Sequence, residues 1–241
     1  MKRTLVIFAI LSLLISCMCF AARIEHVTEK VDMEKAKELI ITFELGAGEF
    51  VIIPEDITEA AIINITYNPR RVDYTIDSDF KKGKCFLDIE TEHHRKSNID
   101  TDDNNWEISL STKYTTSMNM DIGACEADLD FGGIPFKEFN LDIGAASGNI
   151  YFSEPNPIKM ERLDIDAGAT SLDMHSVGNA NFEYMNFSGG VGSFDLDFRG
   201  EYNGESIIDI DIGLGSADII LPRRVPVRII TEGSNWLSSV D

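Results

Sequence analysis

The sequence predicts an all-β chain, a right-handed β-solenoid or β-roll of stacked two-strand rungs with a period of about 22 residues. Three observations predict it. One phrase, alternating apolar residues on either side of a glycine, returns as MNMDIGACEADLDF from Met118, FNLDIGAASGNIYF from Phe139, LDIDAGATSLDM from Leu163, MNFSGGVGSFDLDF from Met185 and IDIDIGLGSADIIL from Ile208, with an earlier relative, ITFELGAGEFVI, from Ile41. The glycines that anchor the tandem copies (Gly123, Gly144, Gly168, Gly190 and Gly213) lie 21, 24, 22 and 23 residues apart. On each side of them the apolar residues recur with a period of two, as in a strand with one buried face. An antiparallel β-sandwich of hairpins is the alternative, and the near-constant period of a whole rung favours the solenoid.

Along the chain, residues 1–22 read as a signal peptide: Lys2 and Arg3 precede an apolar run from Leu5 to Ile15, followed by small residues. The run is shorter than the roughly 20 residues a membrane span needs. Leu14-Ile15-Ser16-Cys17 resembles a lipobox, so Cys17 is a lipidation candidate, with ordinary cleavage near Ala22 as the alternative. Residues 23–115 form an N-terminal β region. Its first stretch, HVTEKVDMEKAKELI, holds the one candidate helix, and the strands ELIITFEL, EFVII, AAIINITYN, RVDYTID, KCFLDIET and NWEISLSTK follow. Asn68-Pro69, Lys82-Gly83 and the run Asp102 to Asn105 separate them. Residues 116–227 carry the tandem repeats and residues 228–241 a tail.

Within the repeats, the fifth, third and first places before the glycine are expected to face inward, as are the fourth, sixth and eighth after it. Examples are Phe139, Leu141 and Ile143, then Phe194, Leu196 and Phe198. A tight turn in which the glycine takes positive φ is expected between the two strands. The outward places repeat too. Two before the glycine stand Asp121, Asp142, Asp166, Ser188 and Asp211; four before stand Asn119, Asn140, Asp164, Asn186 and Asp209; five after stand Asp128, Asn149, Asp173, Asp195 and Asp218. Stacked in register, they form ladders of Asp and Asn outside both sheets. Asp121, Asp142, Asp166 and Asp211 are the candidates for weak divalent-cation binding there, and no other cofactor is expected. The plainer reading is solubility and protection against sheet-to-sheet association.

The linked motifs LGAGEFVI, TYNPRRVDYTID, DIGACEADLDF, DIGAASGNIYF, DAGATSLDM, GGVGSFDLDF and DIGLGSADIILP resemble the bacterial toast-rack family of exported proteins. That family is related to adhesin-like domains and to the extracytoplasmic part of LiaF-like envelope-stress proteins. The resemblance covers roughly residues 37–227 and implies a repeat-built β fold without enzymatic activity. LiaF-like proteins carry several membrane helices ahead of this domain, where this chain has an export signal.

Charge and motifs restrict function further. With 41 acidic and 21 basic residues the net charge is −20, which disfavours nucleic acid and anionic lipid as partners. No catalytic set emerges. His26, His93, His94 and His175 lack metal-helix spacing, and the serines three places after the glycines (Ser147, Ser171, Ser193, Ser216) fit turn chemistry better than a nucleophile. His93-His94 beside Glu92 and ahead of Asp100, Asp102 and Asp103 fits a solvated loop better than an adventitious metal site. Asp100, Asp102 and Asn104 imitate the start of a calcium loop but lack its glycine, at Asn105, and its final acid, at Ser111. Cys85 and Cys125 lie in different segments, and nothing local forces them to pair. The expected protein is an exported, acidic, non-enzymatic module of the bacterial envelope or extracellular space, adhesin-like or structural. Its partner would be an envelope or surface protein or a glycan, with membrane contact only through a lipid anchor. The alternative is an envelope-stress sensor that responds to cell-wall damage or cationic peptides through a membrane partner.

Overall fold

The strand runs on through each repeat glycine, where the inward alternation shifts phase by one residue (Met118, Met120 and Ile122, then Cys125, Ala127 and Leu129), so every repeat is one long bent strand. The computed structural model describes residues 24–93 and 104–230, which leaves Cys17 and the histidine–aspartate loop at 94–103 outside the description. The strands are β1 (Glu25–Asp32), β2 (Glu38–Glu55), β3 (Glu59–Tyr67), β4 (Val72–Lys81), β5 (Lys84–His93), β6 (Asn104–Ser111), β7 (Thr115–Asp130), β8 (Phe136–Tyr151), β9 (Met160–His175), β10 (Phe182–Asp197) and β11 (Ile207–Ile220), with a 3-10 turn at Val177–Ala180. The candidate helix in residues 26–40 is instead β1 and the start of β2. Val27, Glu29 and Val31 of β1 pair with Ile65, Ile63 and Ala61 of β3, and this sheet pairing overrides the helical composition of the segment.

Strands β7 to β11 pair in parallel, each residue with its counterpart one repeat later: Asp121 with Asp142, Asp142 with Asp166, Ser188 with Asp211. This parallel order is the solenoid stack, not the hairpin sandwich. β2 joins it as a further rung, pairing with β7 from Glu38↔Thr115 to Ile52↔Leu129. On its other edge the first half of β2 pairs with β5, which β4 continues, and the second half with β6, which β3 and β1 continue. Loops stack as the strands do: Phe131 N–H donates to the Tyr151 carbonyl at 2.8 Å, Phe152 to His175 at 3.1 Å and Phe198 to Ile220 at 2.8 Å.

The glycine divides each strand into two arms that face one another. Phe131, just past the end of β7, meets Phe139, early on β8, with ring centroids 4.6 Å apart, and Phe187 meets Phe194 across the bend of β10 at 5.3 Å. Inward places from both arms form a single core: Met118, Met120, Ile122, Leu129, Phe139, Leu141, Ile143, Ile150, Leu163, Ile165, Leu172, Phe187, Phe194 and Leu196 are all buried. Burying each such side chain fully is worth about 1.5–3 kcal/mol.

The glycines differ from the expected turn. None of the five anchors has positive φ. What requires glycine is close approach. A Cβ on Gly144 would stand 2.6 Å from the Gly123 carbonyl oxygen, on Gly190 2.5 Å from that of Gly168, and on Gly213 2.7 Å from that of Gly190. The first contact of the column is looser, 3.1 Å from Gly123 to the Gly46 carbonyl. Backbone therefore packs on backbone through the bend, and any side chain would separate the rungs.

A graded series follows. Gly144→Ala and Gly190→Ala should each lower the unfolding free energy by about 1–3 kcal/mol through overpacking, and Gly123→Ala by clearly less. Ile143→Asp should cost several kcal/mol, since it places an unpaired charge in the core. Denaturant titrations measure all four; a Gly123→Ala loss as large as that of Gly190→Ala would contradict the carbonyl column.

Candidate functional site

In-register stacking converts the outward Asp and Asn places into rows that cross the sheet. The row two before the glycine runs Glu44, Asp121, Asp142, Asp166, Ser188, Asp211, and the row four before runs Thr42, Asn119, Asn140, Asp164, Asn186, Asp209. Neighbouring positions are about 4.8 Å apart along the stack. The middle of these two rows lines a shallow groove of ≈ 610 Å³ over β2, β7, β8, β9 and β10. The third row, Asp128, Asn149, Asp173, Asp195 and Asp218, lies on the other arm.

The groove mixes repulsion with relief. Partial burial pushes the Asp142 carboxyl above its ordinary value of 3.8, and the flanking Asp121 and Asp166 push it the same way. The row beside it is softened by amides: Asn140 Nδ2 donates to Asn119 Oδ1 at 2.7 Å. Arg162 supplies the groove's cation, its Nη1 3.4 Å from Asp164 Oδ1.

Of the cation candidates, Asp121, Asp142 and Asp166 stand side by side on β7, β8 and β9, while Ser188 on β10 separates them from Asp211. Among the described residues no group of three or more His, Cys, Asp or Glu side chains converges closely enough to hold a metal ion. The row is a line of charge, not a chelating cage. Glu44, Thr42 and Arg162 were absent from the sequence-based candidates. The first two could have been found by aligning ITFELGAGEFVI on Gly46, which puts them two and four places before that glycine. Arg162 breaks the repeat pattern and left no periodic signal.

A second polar cluster borders the far arm. Asp197 receives bonds from Arg199 Nε at 2.8 and 3.0 Å and from Nη2 at 2.6 Å, and this guanidinium holds the carboxyl below its ordinary range. His175 stacks on Tyr151 at 4.7 Å, with its Nε2 3.5 Å from Asn149 Oδ1. Asn156 Nδ2 donates to the Phe136 and Ala180 carbonyls, and Asn179 Nδ2 to that of Phe152, so the return loops are tied rung to rung. Cys85 and Cys125 are free and buried, and burial pushes the Cys125 thiol up to about 11. Among the described residues no helix is long and apolar enough to cross a membrane.

This geometry, parallel rungs hinged on a glycine column, accompanies a match between residues 20–158 and the family model described as the N-terminal domain of toast_rack, DUF2154. The chain belongs to the toast-rack family. Among solved structures, a candidate cell adhesion protein from Clostridium sporogenes superposes with a TM-score of 0.63 at 16% identity, covering 83% of this chain and 99% of that one. A candidate adhesin from Bacteroides fragilis matches at 13% identity over 83% of this chain and 98% of its own, with a TM-score of 0.29. No curated protein sequence matches the chain. The Clostridium structure shows the toast-rack fold in a second sequence, and within that fold the acidic rows are carried by side chains of this chain.

The two perturbed carboxyls should titrate with opposite consequences. Asp142 has a raised folded-state pKa, so its stabilising contribution is present below 3.8 and lost as pH rises through the raised value. Asp197 has a lowered one, so its contribution is present above 3.8 and lost as pH falls through the lowered value. Asp142→Asn should therefore raise the melting temperature at pH 7, with the gain vanishing in acid. Asp197→Asn should lower it at pH 7, with the loss shrinking in acid. Melts from pH 3 to 8 check both; the same sign for the two variants at pH 7 would contradict the assignment.

Proposed function

We propose that this toast-rack protein is an exported, non-enzymatic module that binds a surface or envelope partner through the acidic outer face of its rung stack. The observation that carries this reading is the shallow groove itself. Its acidic side chains, Glu44, Asp121, Asp142, Asp164 and Asp166, lie in rows across four strands, β2, β7, β8 and β9. Such a face offers a broad area of weak, repeated contacts and suits a partner bearing several cationic groups. The fold's occurrence in a protein described as a candidate cell adhesion protein supports an adhesin-like role. The net charge of −20 argues against nucleic acid.

Export is part of the proposal, through the amino-terminal signal with cleavage either at Cys17 with lipid attached or near Ala22. The groove's charge also favours the second reading, in which cationic antimicrobial peptides are sensed there and a membrane partner relays the signal.

The test uses isolated envelope fragments as an immobilised surface. The purified protein should bind them at low salt, lose most of the binding in high salt, and bind several-fold more weakly as the Glu44→Gln/Asp142→Asn/Asp166→Asn variant. Equal binding by the triple variant would overturn the role of the acidic row, and finding the full-length chain in the cytoplasm on fractionation would overturn export. A cationic peptide that binds the groove while envelope fragments do not would favour the sensor reading.

A further inference from the structure

The two ends of the stack are finished differently. At the amino-terminal end β2 is covered by β5 and β6, and beyond them by β4, β3 and β1; no residue of the outermost strands β1 and β4 is an exposed large apolar side chain. At the other end β11 pairs only with β10, and among the described residues its outer edge has no backbone partner. Its inward side chains Ile208, Ile210, Ile212, Ala217 and Leu221 reach the core but are only partly buried. Exposed apolar side chains gather here: Leu214 is 70% exposed and Ile219 45%, with Ile207 and Ile220 alongside. Tyr184 and Val191 of β10 continue the patch, since they pair with Ile207 and Leu214. An uncovered edge and apolar rung of this kind is a template for another strand.

The edge is complementary to itself. When β11 is placed antiparallel to a copy about a two-fold axis between Leu214 and Gly215, every inward residue meets an inward one: Ile208 faces Leu221 of the copy, Ile210 faces Ile219 and Ile212 faces Ala217. The same axis exchanges the two arms of the bent rung, so both sheets continue from one copy to the other. One pair is unfavourable: Asp211 faces Asp218, and like charges directly opposite oppose pairing. Moving the register by one residue would set inward against outward places throughout.

We propose that β11 is a self-association edge, joining two copies tail to tail into a two-fold dimer whose sheets run continuously through both stacks. The dimer closes both exposed edges, and it leaves the acidic groove accessible at a distance from the axis.

Sedimentation equilibrium of the purified protein over a concentration series tests this. The expected result is reversible association to twice the chain mass. Leu214→Glu sets two acids beside the axis and should weaken association by at least about 10-fold while its melting curve shows the monomer folded. Asp218→Asn should tighten it. A monomer at all concentrations, or undiminished association of Leu214→Glu, would overturn the proposal. A chain that stays monomeric but takes up a different protein on β11 would also overturn it, since the edge would then serve another occupant.

Discussion

Each rung crosses its bend on the carbonyl oxygen of the glycine beneath it, and this contact leaves no freedom of register. With Gly144 seated on Gly123 and Gly190 on Gly168, the residues on either side must pair with their counterparts one repeat away. Every rung therefore presents the same alternation to the same face. Inside, this layers Met118 on Phe139 and Leu163, and Ile122 on Ile143 and Ala167, giving one continuous apolar interior without a helix to cover it. Outside, the same constraint sets carboxylate beside carboxylate. The acidic rows are a consequence of the stacking geometry as much as of composition.

The cost of that arrangement is visible in the residues that interrupt it. Asn119 and Asn140 share a hydrogen bond where two acids would repel, and Ser188 divides Asp166 from Asp211. Where the row is uninterrupted, at Asp121, Asp142 and Asp166, the central carboxyl resists ionisation. A row kept acidic despite this repulsion gives the face a strong local field, and the proposed binding role rests on that field. The ends of the stack follow a different logic, because they are where parallel pairing stops. Five further strands close one end, and β11 leaves the other exposed.

Most of the architecture was legible because stacking makes sequence periodicity and spatial periodicity the same thing. The inward places, the outward rows and the approximate rung length all follow from residues counted from a glycine. What periodicity could not supply was the reason for the glycine itself: a turn and a close backbone contact leave the same mark on the sequence, and only the position of the neighbouring carbonyl separates them. The N-terminal segment was harder still. HVTEKVDMEKAKELI has helical composition, and its strand character comes from pairing with Ile63, Ile65 and Ala61, which lie far along the chain. The groove was half legible. Its acidic rows were visible in the sequence, whereas Arg162 is a base at a place where the neighbouring rungs carry Glu138 and Tyr184.

In-register parallel stacking is the claim on which the rest depends, and spin-label distances along one outer row measure it most directly. Labels on Asp128 paired in turn with Asn149, Asp173, Asp195 and Asp218 should give distances that grow by a constant step of about 4.8 Å per rung. These positions lie outside the core, so labelling leaves the interior intact. A steady increase across all four pairs is the predicted result. Distances that stall or reverse along the series, as alternating hairpins would produce, would contradict the account.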